Sequence, residues 1–192
     1  KGMQGVVRWL NDVWTLALDG VSGNQPDPAA ERALRRKVHQ TIKAVEGGLE
    51  SFGFNTAVAA LMALRNTLED VQRQDNVSRE AWDDAIRHML LLMAPFTPFI
   101  SEELWQRIGG EGSVHMQPWP EYDPEVAAED EITLVVQING KVRDRIQVPA
   151  NISEEDAKRI ALESPAAKRY MDGKPPRKVI YVSQRGMVNI VV

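Results

Sequence analysis

At 192 residues, 43% hydrophobic and 26% charged with a formal charge of −4, the chain has the length of one large domain or two small ones. That composition excludes general disorder, a collagen-like fibre and a disulfide scaffold, and the absence of cysteine removes thiolate zinc sites, catalytic thiols and disulfides together and fits a reducing cytosol. The longest apolar run, Met89 to Ile100, is broken by Pro95 and Pro98 and is too short to span a bilayer; no basic stretch ahead of an apolar block marks a secretory signal.

The first 109 residues read as helices. Val6, Leu10, Val13, Trp14, Ala17 and Leu18 recur at three- and four-residue steps and predict one apolar stripe. Gly20, Ser22, Gly23 and Asn24 break that pattern. Asp27 can then cap free N–H groups, and Pro28 suits a first helical position. The second helix runs to about Leu49 with Leu34, Val38, Ile42 and Val45 inward. The third begins near Phe54 and buries Ala57, Val58, Leu61, Leu64, Leu68 and Val71. Asn76 or Ser78 opens a fourth, with Trp82, Ala85, Ile86, Met89, Leu90 and Met93 at helical spacing. Pro95 should end it, because the residue before a proline avoids the α region. Thr97-Pro98 restarts a shorter helix, which Gly109-Gly110 stops. Short connections between amphipathic helices make an antiparallel bundle the simplest topology.

Residues 110–130 hold two glycines, three prolines and six acids and predict a linker or wrapped loop, with Trp119 and Tyr122 arguing that it docks. From there the period changes from helix to strand. Ile132, Leu134, Val136 and Ile138 alternate with Thr133, Val135 and Gln137, and Asn139-Gly140 signals a hairpin. In the next strand Val142, Asp144, Ile146 and Val148 alternate with Lys141, Arg143, Arg145 and Gln147. A two-residue loop would pair Val136 with Arg143 and Leu134 with Arg145. A three-residue bulged turn, with Gly140 in the left-handed region, would pair apolar with apolar and leave Lys141, Arg143 and Arg145 on one face. The three-residue turn is therefore the expectation. Ser153 ahead of Glu154-Glu155-Asp156 starts a helix to about Leu162, and Pro165 starts another ended by Asp172-Gly173. Val179–Val182 and Met187–Val192 read as two more strands, joined near Ser183–Gly186. The expected protein is multi-domain. An all-α antiparallel helix bundle over 1–109 is followed by an acidic Pro/Gly linker over 110–130 and a small α+β domain (ββααββ) over 131–192.

No phosphate-binding glycine loop, nucleophile elbow or histidine pair at metal spacing is present. His39, His88 and His115 are scattered over separate elements, and Glu102-Glu103 and Asp83-Asp84 read as solvated faces. On residues alone, no catalytic or metal site is expected. The positive signal is charge. Residues 1–109 carry 12 Lys/Arg against 14 Asp/Glu, 110–130 carry six acids and no base, and 131–192 carry 11 bases against 7 acids. Lys141, Arg143, Arg145, Lys174, Arg177, Lys178 and Arg185 are the candidate nucleic-acid contacts, since clustered bases neutralise phosphates and release counterions. The plainer reading of the same residues is a solvated strand face, and Lys168 and Arg169 add only to the total.

The string Leu91-Leu92-Met93-Ala94-Pro95-Phe96-Thr97-Pro98-Phe99-Ile100-Ser101-Glu102-Glu103-Leu104-Trp105 resembles the anticodon-binding helical domain of class I aminoacyl-tRNA synthetases. Val135-Val136-Gln137-Ile138-Asn139-Gly140-Lys141-Val142-Arg143 is similar to the C-terminal domain of bacterial-type leucyl-tRNA synthetases. Phe54–Met62, Val188–Val192, His39-Gln40-Thr41-Ile42-Lys43 and Pro118-Trp119-Pro120-Glu121-Tyr122-Asp123 resemble the same family. The resemblance implies the C-terminal third or less of a larger cytoplasmic ligase, with Val192 as its natural end and Lys1 not a natural start. That ligase would join leucine to tRNA(Leu) using ATP with magnesium. The partners implied are tRNA(Leu) and the catalytic domain of the same polypeptide, with no membrane and no DNA. Neither ATP-binding signature of that family, His-x-Gly-His or Lys-Met-Ser-Lys-Ser, occurs here, so no cofactor is expected in this part. Carried onto matching positions, the resemblance favours Lys141 and Arg143. Asp144 stands where the family usually has glycine, and the alternation puts it on the Val142/Ile146 side. Valyl and isoleucyl relatives share the helical domain, and a protein-interaction module is the alternative from another class. The coiled coil of the valyl enzymes and the cysteine-rich segments of the isoleucyl ones are absent.

Overall fold

The structure, a computed structural model, describes residues 2–128, 131–150, 152–171 and 175–192. It divides into two compact units, Lys1–Ala128 and Glu129–Val192, each with its own core.

The first unit is helical: α1 (Gly2–Asp19), α2 (Pro28–Glu50), α3 (Phe54–Gln74), α4 (Arg79–Met93) and α5 (Pro98–Arg107), then a 3₁₀ turn (Val114–Met116) and α6 (Pro124–Ala127). The start signals act as expected. The Asp27 carboxylate accepts the Ala29 N–H at 2.9 Å and the Ser78 hydroxyl accepts the Ala81 N–H at 3.2 Å, and each fills one orphan donor of a first turn. Leu34, Val38, Ile42, Val45, Leu61, Leu64, Leu68, Trp82, Met89, Leu90 and Met93 are buried in one core. Each buried Leu or Ile removes enough apolar surface from water to stabilise the fold by about 2 kcal/mol. α2 and α3 approach closely at Gly48, where a Cβ would stand 2.9 Å from the Ala57 Cβ.

Two expectations differ in this unit. α1 buries Trp9, Val13 and Leu16, while Val6 and Leu18 are exposed. The apolar residues of this helix fill a wide arc, roughly half of its circumference, and the edge of that arc carrying Trp9, Val13 and Leu16 packs most deeply, while Leu10, Trp14 and Ala17 lie partly buried against the same core. Secondly, Glu102 is more than a solvated carboxylate. It accepts the Ser113 hydroxyl at 2.8 Å and the Val114 N–H at 2.9 Å, so the acidic segment is tied to α5, and these bonds hold its carboxyl below the usual range. Residues 110–128 pack within the first unit, with Tyr122 against its core and Trp119 37% exposed.

The second unit has β1 (Glu131–Ile138), β2 (Lys141–Pro149), α7 (Glu154–Glu163), α8 (Pro165–Met171), β3 (Lys178–Val182), a 3₁₀ turn (Ser183–Arg185) and β4 (Met187–Val191). The sheet order is β2-β1-β4-β3, with β1 parallel to β4 and the other pairs antiparallel. α7 and α8 cover one face through Ala157, Ala161 and Ala167, which pack with Leu134, Val136, Ile138, Val148, Val188 and Ile190. Small residues on the helices let them sit close to a sheet of large β-branched ones. Ser153 caps α7 by accepting the Asp156 N–H at 3.0 Å. The predicted stop at Asp172-Gly173 lies outside the described residues. No described helix is long and apolar enough to cross a membrane.

Candidate nucleic-acid interface

The candidate bases of the second unit hang on the β1–β2 hairpin, and its turn decides where they point. The loop has two residues, because Ile138 pairs with Lys141 across Asn139 and Gly140. This overturns the three-residue turn. Asn139 (φ 50°) and Gly140 (φ 77°) both occupy the left-handed region, as a type I′ turn requires and as Asn-Gly best supplies. The missing residue of parity appears further along β2: Val136 faces Asp144 and Gln137 faces Val142, which leaves Arg143 as a β-bulge. Beyond the bulge apolar pairs with apolar, Leu134 to Ile146 and Ile132 to Val148, as the core demands.

The bulge also divides the basic residues, which do not share one face. Lys141 stands opposite Ile138, on the helix-covered side at its exposed end. Arg145 stands opposite Val135 on the uncovered face, where Val142, 49% exposed, joins it. Arg143 lays its guanidinium over the Tyr170 ring of α8, 4.2 Å from the centroid, with a long 3.4 Å contact from Nη1 to the phenol oxygen. Stacking occupies the cation's face and leaves its N–H edges for an acceptor. Asp144 is half-buried opposite Val136, and its carboxylate accepts the Arg145 N–H at 2.9 Å, so it stays within the domain.

The turn is also pinned from the C-terminal strand. The Asn189 side-chain oxygen accepts the Gly140 N–H at 3.2 Å, and the Asn139 side-chain oxygen accepts the Val192 N–H at 3.1 Å. Sequence reasoning missed Asn189 and Tyr170. A polar residue inside the apolar Val188–Val192 run was the available signal for the first, whereas nothing in the spacing pointed to the second.

Arg177 and Lys178 lie at the start of β3, where Lys178 pairs with Val191, so they reach the turn end of the sheet at the edge opposite Lys141. Arg185 sits in the 3₁₀ turn before β4, at the other end. Lys174 lies outside the described residues. The six described bases are all exposed, and none makes an ion pair among the described residues. The bases of α7 differ: Lys158 binds Glu154 at 2.5 Å and Arg159 binds Asp156 at 2.7 Å. The uncommitted charge of this unit is therefore at the sheet ends and edges and on α8, where Lys168 and Arg169 are also exposed without an ion pair among the described residues.

The first unit contains a second arrangement that spacing hid. His39 of α2 and His88 of α4 face each other with ring centroids 6.4 Å apart, in a cleft also lined by Glu31, Arg35, Ser78, Glu80 and Asp84. They are brought together by the α2–α4 packing and are not scattered. His88 Nδ1 donates to the Asp84 carbonyl at 2.8 Å and lies 3.5 Å from its carboxylate; although burial opposes the charge, Asp84 raises the His88 pKa above 6.5. His39 Nδ1 accepts the Asp123 N–H at 3.2 Å, and burial first, then His88, lower its pKa below 6.5. No group of three His, Asp or Glu side chains able to hold a metal occurs among the described residues.

Residues 31–159 match the family described as the anticodon-binding domain of tRNA ligase. The leucine–tRNA ligase of Dehalococcoides mccartyi is 44% identical over 192 residues, which is 100% of this chain and 24% of that protein. The leucine–tRNA ligase of Rubrobacter xylanophilus is also 44% identical over 192 residues, covering 100% of this chain and 23% of its own length. Among solved structures, the ternary complex of Agrobacterium radiobacter K84 agnB2 LeuRS with tRNA and LeuAMS matches with a TM-score of 0.82 and 29% identity, over 98% of this chain and 25% of that one. The chain thus spans about a quarter of the length of the curated relatives it matches.

Proposed function

The chain belongs to the family of tRNA-ligase anticodon-binding domains, and from that premise we propose that it is the tRNA-binding C-terminal portion of a cytoplasmic leucine–tRNA ligase. The observation that carries this reading is the unbroken alignment with leucine–tRNA ligases from one end of the chain to the other. In this reading residues 1–109 are the helical anticodon-binding bundle, 110–130 the acidic linker and 131–192 the C-terminal tRNA-binding domain. The whole ligase joins leucine to tRNA(Leu) with ATP and magnesium, and its catalytic domain is the other partner of this region. The ATP signatures named above do not occur in the sequence, so nothing in this chain is assigned to hold that group.

The role of these residues is to place RNA, not to react with it. Lys141, Arg143, Arg145, Arg177, Lys178 and Arg185, with Lys174, supply cations to phosphate oxygens. Arg143 does so from a ring that restricts its orientation. Such contacts recognise shape and backbone and carry no base sequence.

Titration of tRNA(Leu) against the chain at two salt concentrations tests the reading. Binding should weaken steeply with salt, and Lys141→Ala or Arg143→Ala should each reduce the log–log slope by about one unit. Absence of binding at low salt would refute it and favour a protein-interaction module.

A further inference from the structure

Two strings singled out in the sequence, His39–Lys43 and Pro118–Asp123, meet in the structure. One face of α2 carries Arg36, His39, Gln40 and Lys43, spaced so that they line up along the helix. Each holds the segment that ends the first unit. Arg36 Nε donates to the Ala128 carbonyl at 2.7 Å, and Gln40 Nε2 donates to the Ala127 carbonyl at 3.1 Å. His39 Nδ1 accepts the Asp123 N–H, and the Lys43 ammonium lies 5.1 Å from the centre of the Tyr122 ring. Asp123 in turn caps α6 by accepting the Glu125 N–H at 2.8 Å and the Val126 N–H at 3.3 Å. Three of the four holds are hydrogen bonds to main-chain groups, so the clasp fixes the path of the backbone.

We propose that His39, through the Asp123 N–H it accepts, is a positioning residue for RNA binding: with Gln40 it fastens residues 122–128 to α2 and so keeps the connection to the second unit short. This rests on the reading of the chain as a two-unit RNA-binding region. When two modules engage one ligand, the second binds at an effective concentration set by the tether, which falls roughly as the −3/2 power of its length. Residues 113–117 stay held by Glu102, Gln106 and the Gln117 side chain even if α6 lets go. Freeing the clasp therefore lengthens the tether from about three residues to about thirteen, and affinity for an RNA touching both units falls about ninefold.

The clasp depends on protonation because an imidazolium has no lone pair at Nδ1. On α2, Arg35 disfavours a charge on His39; on α4, His88 disfavours it and Asp84 favours it; on the segment itself, Asp123 favours it. Glu31 and Glu80 line the same cleft.

The test compares wild type, Arg36→Ala, the triple variant Arg36→Ala/His39→Ala/Gln40→Ala, His39→Ala and His39→Asn, because Arg36 alone would still hold Ala128. Asparagine keeps an acceptor near the Nδ1 position and cannot titrate. Hydrogen–deuterium exchange of residues 122–128 and affinity for tRNA(Leu) at low salt are measured on the full chain at pH 7.5 and at a pH below the His39 midpoint, which proton NMR of the chain locates. The triple variant should exchange faster in that segment and bind about ninefold more weakly than Arg36→Ala, a comparison that leaves out the lost cation. His39→Asn should restore both relative to His39→Ala, and should lose the acid-induced loosening that wild type shows. Unchanged exchange in the triple variant would overturn the clasp. Faster exchange with unchanged affinity would overturn the positioning role while leaving RNA binding intact. Failure of wild type to bind tRNA would overturn the RNA reading itself, and the positioning role with it.

Discussion

The β1–β2 turn provides a quantitative test of the fold through Gly140→Ala. Gly140 holds φ at 77°, and a Cβ built there meets nothing within 4 Å. The perturbation is therefore confined to the backbone, where an L-residue in the left-handed region costs about 1–2 kcal/mol. A gain from stiffening the unfolded chain, up to about 1 kcal/mol, partly offsets it and leaves a net loss near 1 kcal/mol. In a unit of roughly 60 residues that loss lowers the melting midpoint by about 4–8 °C. The assay can isolate this unit, because all five tryptophans lie within the first one, at Trp9, Trp14, Trp82, Trp105 and Trp119. Far-UV circular dichroism should show a component moved down by several degrees, while tryptophan fluorescence melts as in wild type. Gly109→Ala is the matched control, with φ at 80° and open space around its Cβ, but in the first unit. It should move the tryptophan signal instead. A Gly140→Ala protein with both transitions within 1 °C of wild type, or with both shifted equally, would refute the reasoning.

Two further outcomes follow from side-chain geometry. Tyr170→Ala removes the ring on which Arg143 rests, and loss of an exposed cation–π contact of about 0.5–1 kcal/mol should weaken tRNA binding about two- to fivefold; Tyr170→Phe keeps the ring and should bind as wild type, checked by low-salt titration. Proton NMR of the imidazoles should find His88 titrating above 6.5 and His39 below it. The two contribute to stability with opposite sign. The His88 contribution is complete below 6.5 and disappears as pH rises through its folded value, whereas that of His39 is present above 6.5 and disappears as pH falls through its own. Asp84→Asn should remove the upward shift of His88, and an unaltered titration would refute the assignment to that carboxylate.

Much of the fold was legible because local signals and packing agree. Asp27, Ser78 and Ser153 each mark a helix start with a side chain that can accept an N–H, and no tertiary contact contradicts them. The β1–β2 hairpin shows where legibility stops. Alternation requires one extra residue somewhere between Val136 and Ile146, but it cannot say where. The strong preference of Asn-Gly for a two-residue turn moved that residue to Arg143, and the basic residues expected on one face were divided. α1 was legible only in part, since its apolar arc is wider than the strip that packs: Val13, Leu10, Trp14 and Ala17 meet the core, but Val6 and Leu18 do not. His39 and His88 were illegible in principle: they stand 49 positions apart, and only the packing of α2 on α4 makes them neighbours.

The unit boundary at Ala128 changes what the charge pattern means. With residues 110–128 counted in the first unit, residues 1–128 carry 12 Lys/Arg against 18 Asp/Glu, a net of −6. Residues 129–192 carry 11 against 9, a net of +2. The acids of 110–128 are not an isolated repulsive stretch, because Asp123 caps α6 and the segment lies along the Arg36, His39 and Lys43 face of α2. Their charge adds to the field of the first unit. A polyanion approaching the chain is then repelled on average by one unit and attracted by the other, and a field of this kind orients an encounter before any contact forms. The three bases of the hairpin without an ion pair among the described residues, Lys141, Arg143 and Arg145, belong to the attractive unit, and salt should slow the encounter as well as weaken the complex.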